Sequence, residues 1–166
     1  MPDSRIDNPL VGILMGSASD WPTMKKAAEI FDDFNITHEC RVLSAHRTPD
    51  DACEYARSAE QRGLRIIIAG AGLAAHLAGV LAAHTTLPVL GVPMEGGPLK
   101  GMDALLATVQ MPAGIPVATF GIGSHGAKNA AFFAAAVLAA SDPNIRHRLN
   151  EFRKEQSDKI LDTNLS

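Results

Sequence analysis

Short apolar runs rich in Val, Ile and Leu alternate with segments of helical pattern along most of this chain, and that alternation restricts the fold more than any other feature. The first run, Val11 to Met15, is followed by a helical pattern from Pro22 to Phe34 and then by His38 to Leu43, read as a second strand. Thr48 then stands where a helix cap is needed, Pro49 suits a first turn, Asp50 and Asp51 favour its positive end, and Gly63 stops the helix. A β-branched run from Arg65 to Ala69, a small-residue helix from Ala74 to His84 and a fourth run from Pro88 to Val92 come next. The loop MEGGPLKG leads to a helix from Met102 to Val109. A fifth run, Pro116 to Gly121, precedes an alanine-rich helix from Ala127 to Ala140, and a charged helix from Asn144 to Leu161 follows.

Strands separated by single helices require right-handed crossovers, and therefore a parallel sheet covered on both faces. The sequence predicts an α/β fold: a three-layer αβα sandwich on a five-stranded parallel sheet, with an extra C-terminal helix. With 166 residues, the chain is long enough for one core without disulfides or metal. We expect a single domain over 1–166: a flexible segment at 1–9, the sandwich at 10–141, and a C-terminal helix and tail at 142–166 that contacts a neighbouring subunit. The alanine-rich helix carries no charge between Ala130 and Ala140 and is expected to be buried, between subunits if not within one. Ile145, Leu149, Phe152, Gln156 and Ile160 form a stripe on the last helix that should dock.

The net charge of −3 and the absence of a Lys/Arg run give no attraction to a phosphate polymer, so no nucleic-acid partner is expected. Cys40 and Cys53 form no CxxC pair, and the N-terminus MPDSRIDNPL lacks the apolar centre of a signal peptide. No apolar run reaches the roughly 20 residues of a membrane span. A cytoplasmic protein is the resulting expectation.

In a parallel sheet every strand-to-helix loop falls on one edge, where such sheets bind ligands. The first three of these loops are unusual: MGSASDW (15–21), SAHRTP (44–49) and GAGLAAHLAG (70–79). Gly16, Ser17 and Ser19 precede a helix and offer close approach, hydroxyl donors and helix-end amides to a phosphate. Asp20 either caps that helix or binds ribose hydroxyls. In the second loop Arg47 holds phosphate or carboxylate in bidentate fashion, or makes a surface ion pair. Its neighbour His46 carries an imidazole, whose ordinary pKa of about 6.5 allows proton transfer near neutrality, or is a hydrogen-bonded loop residue. In the third loop Gly70 and Gly72 let a ligand lie on backbone, and His76 falls one turn into the next helix. Together these residues describe a site for a small phosphorylated molecule, with proton transfer as its chemistry. No HxxxH or DxDxDG spacing occurs, so no metal ligand set is expected, and GAGLAA lacks the acid that a dinucleotide fingerprint places about 20 residues on.

From Val11 to Leu161 the motifs MGSxSDW, SAHRTPD, IIAGAG, AAHL, LPVLGVP, GMDALL, VQMPAGIPV and GAKNAA, in this order and at close spacing, resemble the class I N5-carboxyaminoimidazole ribonucleotide mutases of purine biosynthesis. The resemblance implies a flavodoxin-like octamer with C-terminal helices reaching neighbouring subunits. It implies a cytoplasmic enzyme that moves a carboxylate from the exocyclic nitrogen of a ribonucleotide to ring carbon four without a cofactor, in functional coupling to an N5-carboxyaminoimidazole ribonucleotide synthetase. By position it assigns the nucleotide to Ser17, Asp20 and Arg47, within a site that includes Gly16, Ser19, Ser44 and Ala45. It assigns catalysis to His46 and His76, with His76, Gly72 and Leu77 lining the place where CO2 waits. Two residues depart from the family's GAGGAAHLPG: Leu73, a cost of about 1 kcal/mol or more if that position needs positive φ, and the milder Ala78. The alternatives are a carboxylase using free CO2, which is expected to carry lysine where Arg47 stands, and a non-catalytic flavodoxin-like nucleotide-binding module. For a flavin, one Trp and one Tyr offer little to stack against.

Overall fold

The structure is a computed structural model and describes residues 8–165; the flexible segment expected over 1–9 falls, for 1–7, outside the described residues. Strands β1 (Val11–Met15), β2 (His38–Val42), β3 (Ile66–Ala71), β4 (Val89–Pro93) and β5 (Ala118–Thr119) pair in parallel in the order β2-β1-β3-β4-β5. Between and after them run α1 (Trp21–Phe34), α2 (Pro49–Ser58), α3 (Leu77–Ala82), α4 (Met102–Val109), α5 (Ser124–Leu138) and α6 (Pro143–Leu161). This is the expected αβα sandwich with its additional C-terminal helix.

Period-two alternation on the central strands divides the core. Val11, Ile13 and Met15 of β1, with Ile66 and Ile68 of β3, face a cluster built with α1, α5 and the start of α6. Leu14, Ile67, Ala69 and Val89 face the opposite cluster with α2 and α3. One face of α5, from Ala127 to Leu138, is buried within this chain, while Phe133 and Val137 remain 46% and 39% exposed. The last helix divides lengthwise. Ile145 and Leu149 are buried and Phe152 stacks on Phe132 with ring centroids 4.5 Å apart, whereas Ile160 is 75% exposed. The predicted stripe thus docks on its own chain only as far as Phe152.

Three local expectations are corrected. Thr48 precedes α2 but does not cap it; its hydroxyl donates to the Ser44 carbonyl (3.2 Å) and accepts from the Ser44 amide (2.9 Å). β5 is two residues long rather than six, because it is an edge strand entered from Pro116, which has no N–H to give a ladder. α3 begins at Leu77 rather than Ala74, so His76 lies just before the helix. The residues before it are otherwise engaged: Leu73 is left-handed, with a φ of 54°, and the His76 amide donates to the Ala74 carbonyl (2.9 Å) in a tight turn.

Gly12 shows how the sheet is packed on its α2 side. A Cβ there would overlap the Tyr55 hydroxyl, which donates to Glu39 (2.7 Å) beside a second donor, the Arg62 guanidinium (2.7 Å). Burial pushes the Glu39 carboxyl up, but those two hydrogen bonds and the charges of Arg62 and Arg41 outweigh it and hold the group below its ordinary value. Gly12→Ala is expected to destabilise the chain by about 1–3 kcal/mol, and Tyr55→Phe by about 1.5–3 kcal/mol, both read by urea unfolding near neutral pH. Because folding lowers the Glu39 pKa, its contribution is present above the ordinary glutamate range and lost as pH falls through the depressed folded value. The gap between parent and Tyr55→Phe should therefore narrow on acidification.

Candidate active site

The sheet order reverses at β1: the chain leaves it to one side for β2 and returns on the other side for β3. A crevice opens at the carboxyl ends of strands at such a point. Register aligns Met15 with Val42 on one side and with Gly70 on the other, and Gly70 with Val92, so the loops that follow begin at one level. They surround a cavity of about 440 Å3.

The residues expected at the site from the sequence line this cavity, except Gly70, whose α-carbon packs against Met24 and Met94 instead of opening to a ligand. From the first loop come Gly16, Ser17, Ser19 and Asp20. The Gly16 amide donates to the Gly70 carbonyl (3.1 Å), tying this loop to β3. The Ser17 hydroxyl oxygen accepts from the Ser19 amide (3.3 Å) and hydroxyl (2.8 Å), which leaves the hydroxyl hydrogen of Ser17 to give. Asp20 occupies the capping position of α1 but makes no side-chain cap bond, so of its two readings the helix-capping one is not realised. Burial pushes its carboxyl above the ordinary range, against a lowering backbone hydrogen bond from Ser17.

The second loop brings Ser44, Ala45, His46 and Arg47. The Ser44 hydroxyl oxygen accepts from the amides of His46 (3.3 Å) and Arg47 (3.1 Å), and the paired Ser44–Thr48 bonds close the turn around them. Both functional side chains are exposed toward the cavity, and among the described residues Arg47 makes no ion pair.

The third loop supplies Gly72, His76 and Leu77. His76 and His46, thirty positions apart in sequence, meet with Nδ1 of His76 2.6 Å from Nε2 of His46 and the rings edge-on at 86°. At that separation one ring donates and the other accepts, so a single proton lies between them. Leu77 is buried behind the pair. Proton transfer can occur here beside hydroxyl and guanidinium donors suited to an anion.

Sequence reasoning passed over the floor and far wall of the site. Ala71, Ala74 and Met94 line it, as do Glu95, Gly96 and Gly97 of the fourth loop. The glycine pair of the MEGGPLKG loop was the available signal that backbone approaches the ligand there. Leu73, expected as a departure, also lines the cavity, and the positive φ that would make leucine costly is observed. Ala78 lies buried in the first turn of α3, where a proline would also fit. A larger cavity of about 980 Å3 opens near the amino end of β4, around Thr86, Leu87 and Pro88, but none of the three converging loops reaches it. Among the described residues no three His, Cys, Asp or Glu side chains gather into a metal-holding group, and no helix is long and apolar enough to cross a membrane.

Comparison with known proteins places the chain in a family. Residues 10–159 match the family model described as AIR carboxylase. A Bacillus subtilis protein called N5-carboxyaminoimidazole ribonucleotide mutase is 54% identical over 93% of this chain and 96% of its own. An Escherichia coli protein of the same name is 54% identical over 96% of this chain and 94% of its own. A Dictyostelium discoideum protein, called bifunctional purine synthesis protein purC/E, is also 54% identical, the match taking 95% of this chain but 16% of that longer one. Among solved structures, Treponema denticola PurE superposes with a TM-score of 0.82 at 28% identity, over 92% of this chain and 94% of that one. With a family model spanning nearly its whole length and relatives above half identity, the chain belongs to the AIR carboxylase family.

Proposed function

We propose that this protein is an N5-carboxyaminoimidazole ribonucleotide mutase of purine biosynthesis. The observation that carries the reading is the 2.6 Å contact between His46 and His76 inside a cavity that also gathers Ser17, Asp20 and Arg47, in a chain 54% identical to proteins bearing that name.

The division of labour follows from the side chains. Ser17, Ser19 and Arg47 hold the phosphate, and Asp20, free of a capping role, accepts from ribose hydroxyls; Gly16, Ser44 and Ala45 admit the nucleotide close to backbone. His46, as imidazolium, gives a proton to the exocyclic nitrogen while the bond from that nitrogen to the carboxylate breaks and CO2 leaves. The ring carbon C4 then attacks CO2, a carbon–carbon bond forms, and the C4 proton passes to His46, which regains its starting state. Proton count and charge balance without a cofactor. His76 orients the His46 ring through the shared proton and, with Gly72 and Leu77, bounds the space where CO2 waits. Acid/base help of this kind is worth about 10² to 10⁴ in rate, so confinement and orientation supply the remainder.

Functional coupling to the enzyme that supplies the N5-carboxylated nucleotide fits this assignment, and the purC/E relative shows a domain of this kind sharing a chain with another purine-synthesis unit. Assembly as an octamer in the cytoplasm is part of the same proposal; the exposed Phe133, Val137 and Ile160 supply apolar surface for neighbouring subunits.

Purified protein in the presence of a chelator should convert N5-carboxyaminoimidazole ribonucleotide to the 4-carboxylate well above the uncatalysed rate, and in preference to aminoimidazole ribonucleotide with bicarbonate. Turnover only with bicarbonate would make it a carboxylase, and inactivity with both would refute the mutase. His46→Asn should lower kcat by about 10² to 10⁴ with nucleotide binding retained by calorimetry. Arg47→Ala should instead weaken nucleotide binding by about 10- to 100-fold.

A further inference from the structure

We infer that Leu73 is an apolar latch across the mouth of the active-site cavity, seating the fourth loop so that CO2 is retained while it passes from nitrogen to carbon. The inference rests on the mutase reading and concerns a residue to which that reading gives no part.

Leu73 is unfavourably placed in two respects. Its φ of 54° lies in the left-handed region, where the Cβ of a leucine crowds the following carbonyl. Its side chain is 54% exposed and belongs to neither core cluster. A glycine would remove both penalties. A strained residue at a functional cavity calls for a compensating interaction, and one contact offers it. Cδ2 of Leu73 lies 2.6 Å from where a Cβ on Gly97 would stand, so the leucine methyl occupies the space left by the missing side chain of Gly97. Gly97 itself has a φ of 62°. Leucine and glycine therefore interlock, third loop against fourth, each from a left-handed backbone.

The chemistry gives this contact a use. CO2 is small, uncharged and apolar, and no hydrogen bond holds it strongly; only walls keep it near C4. Water entering the same space would carry it away as bicarbonate. The Leu73 side chain joins Gly97 at the edge of the cavity that contains His46 and His76. As the link between the two loops it resists both escape of CO2 and entry of water. Leu73 touches no reacting atom in this scheme and acts by positioning loop 95–101.

Two variants separate contact from strain. Leu73→Ala removes the methyls over Gly97 and keeps a side chain at positive φ; Leu73→Gly removes both. In the ligand-free protein, amide hydrogen exchange across 95–101 should be faster in both variants, and Leu73→Gly should melt above Leu73→Ala. With 13C in the N5-carboxylate and excess unlabelled bicarbonate, the parent should keep the label in its product. Both variants should lose several-fold more of it, with a smaller change in KM than in label retention. A merely structural role would not move the isotope partition. Retention equal to the parent's in both variants overturns the proposal, even if the loop loosens, and unchanged exchange in 95–101 overturns the interlock. If the parent does not turn over the N5-carboxylated substrate, the mutase reading itself has failed, and hydrogen exchange still decides whether Leu73 seats the loop.

Discussion

Parallel pairing at one register is the constraint on which the site depends. Because Met15, Val42, Gly70 and Val92 sit at corresponding levels on four neighbouring strands, four loops leave the sheet together. Each loop contributes little alone: hydroxyls, an imidazole with a guanidinium, a second imidazole, and a pair of glycines. The topological reversal beside β1 separates two of the loops enough to leave a crevice between them. Chemistry is thereby distributed over residues 16–97, while the hydrogen-bonded sheet fixes its geometry.

Small side chains make that convergence possible. A Cβ on Gly70 would come within 2.6 Å of the Met24 sulfur and 2.9 Å of the Met94 methyl, so the end of β3 is glycine because two methionines fill the floor beneath the site. Gly16 donates to the carbonyl of this same residue, which lets the first loop lie directly against the end of β3. Ser44 does the corresponding work in the second loop, where its single hydroxyl collects the amides of His46 and Arg47. The His46 and Arg47 side chains are consequently held by backbone contacts, and both remain exposed toward the cavity.

Much of this was legible in the sequence, for identifiable reasons. Most strand positions followed from apolar runs, the polar β2 excepted, and β1 and α4 have the expected limits because Gly16 and Gly101 mark them. The residues that converge on the cavity were legible because topology forces loops to one edge, whatever their distance along the chain. What could not be read was the conformation of a particular residue. The helical pattern from Ala74 gave no sign that residues 74–76 form a turn and that α3 starts only at Leu77. Thr48 and Asp20 both have the right identity to cap a helix and neither makes the cap bond, since hydrogen bonds to Ser44 and half-burial beside Ser17 depend on tertiary placement. The His46–His76 contact likewise joins two loops that only the finished sheet brings together.

The most direct measurement is a crystal structure of the protein with the 4-carboxylated product nucleotide. The phosphate should lie against Ser17, Ser19 and Arg47 and the ribose hydroxyls on Asp20. C4 should approach His46 to roughly 3–3.5 Å, the separation of a near-attack geometry. A nucleotide seated in the cavity near Pro88, or in the crevice with His46 turned away from C4, would contradict the assignment of this edge of the sheet as the place where the proton moves.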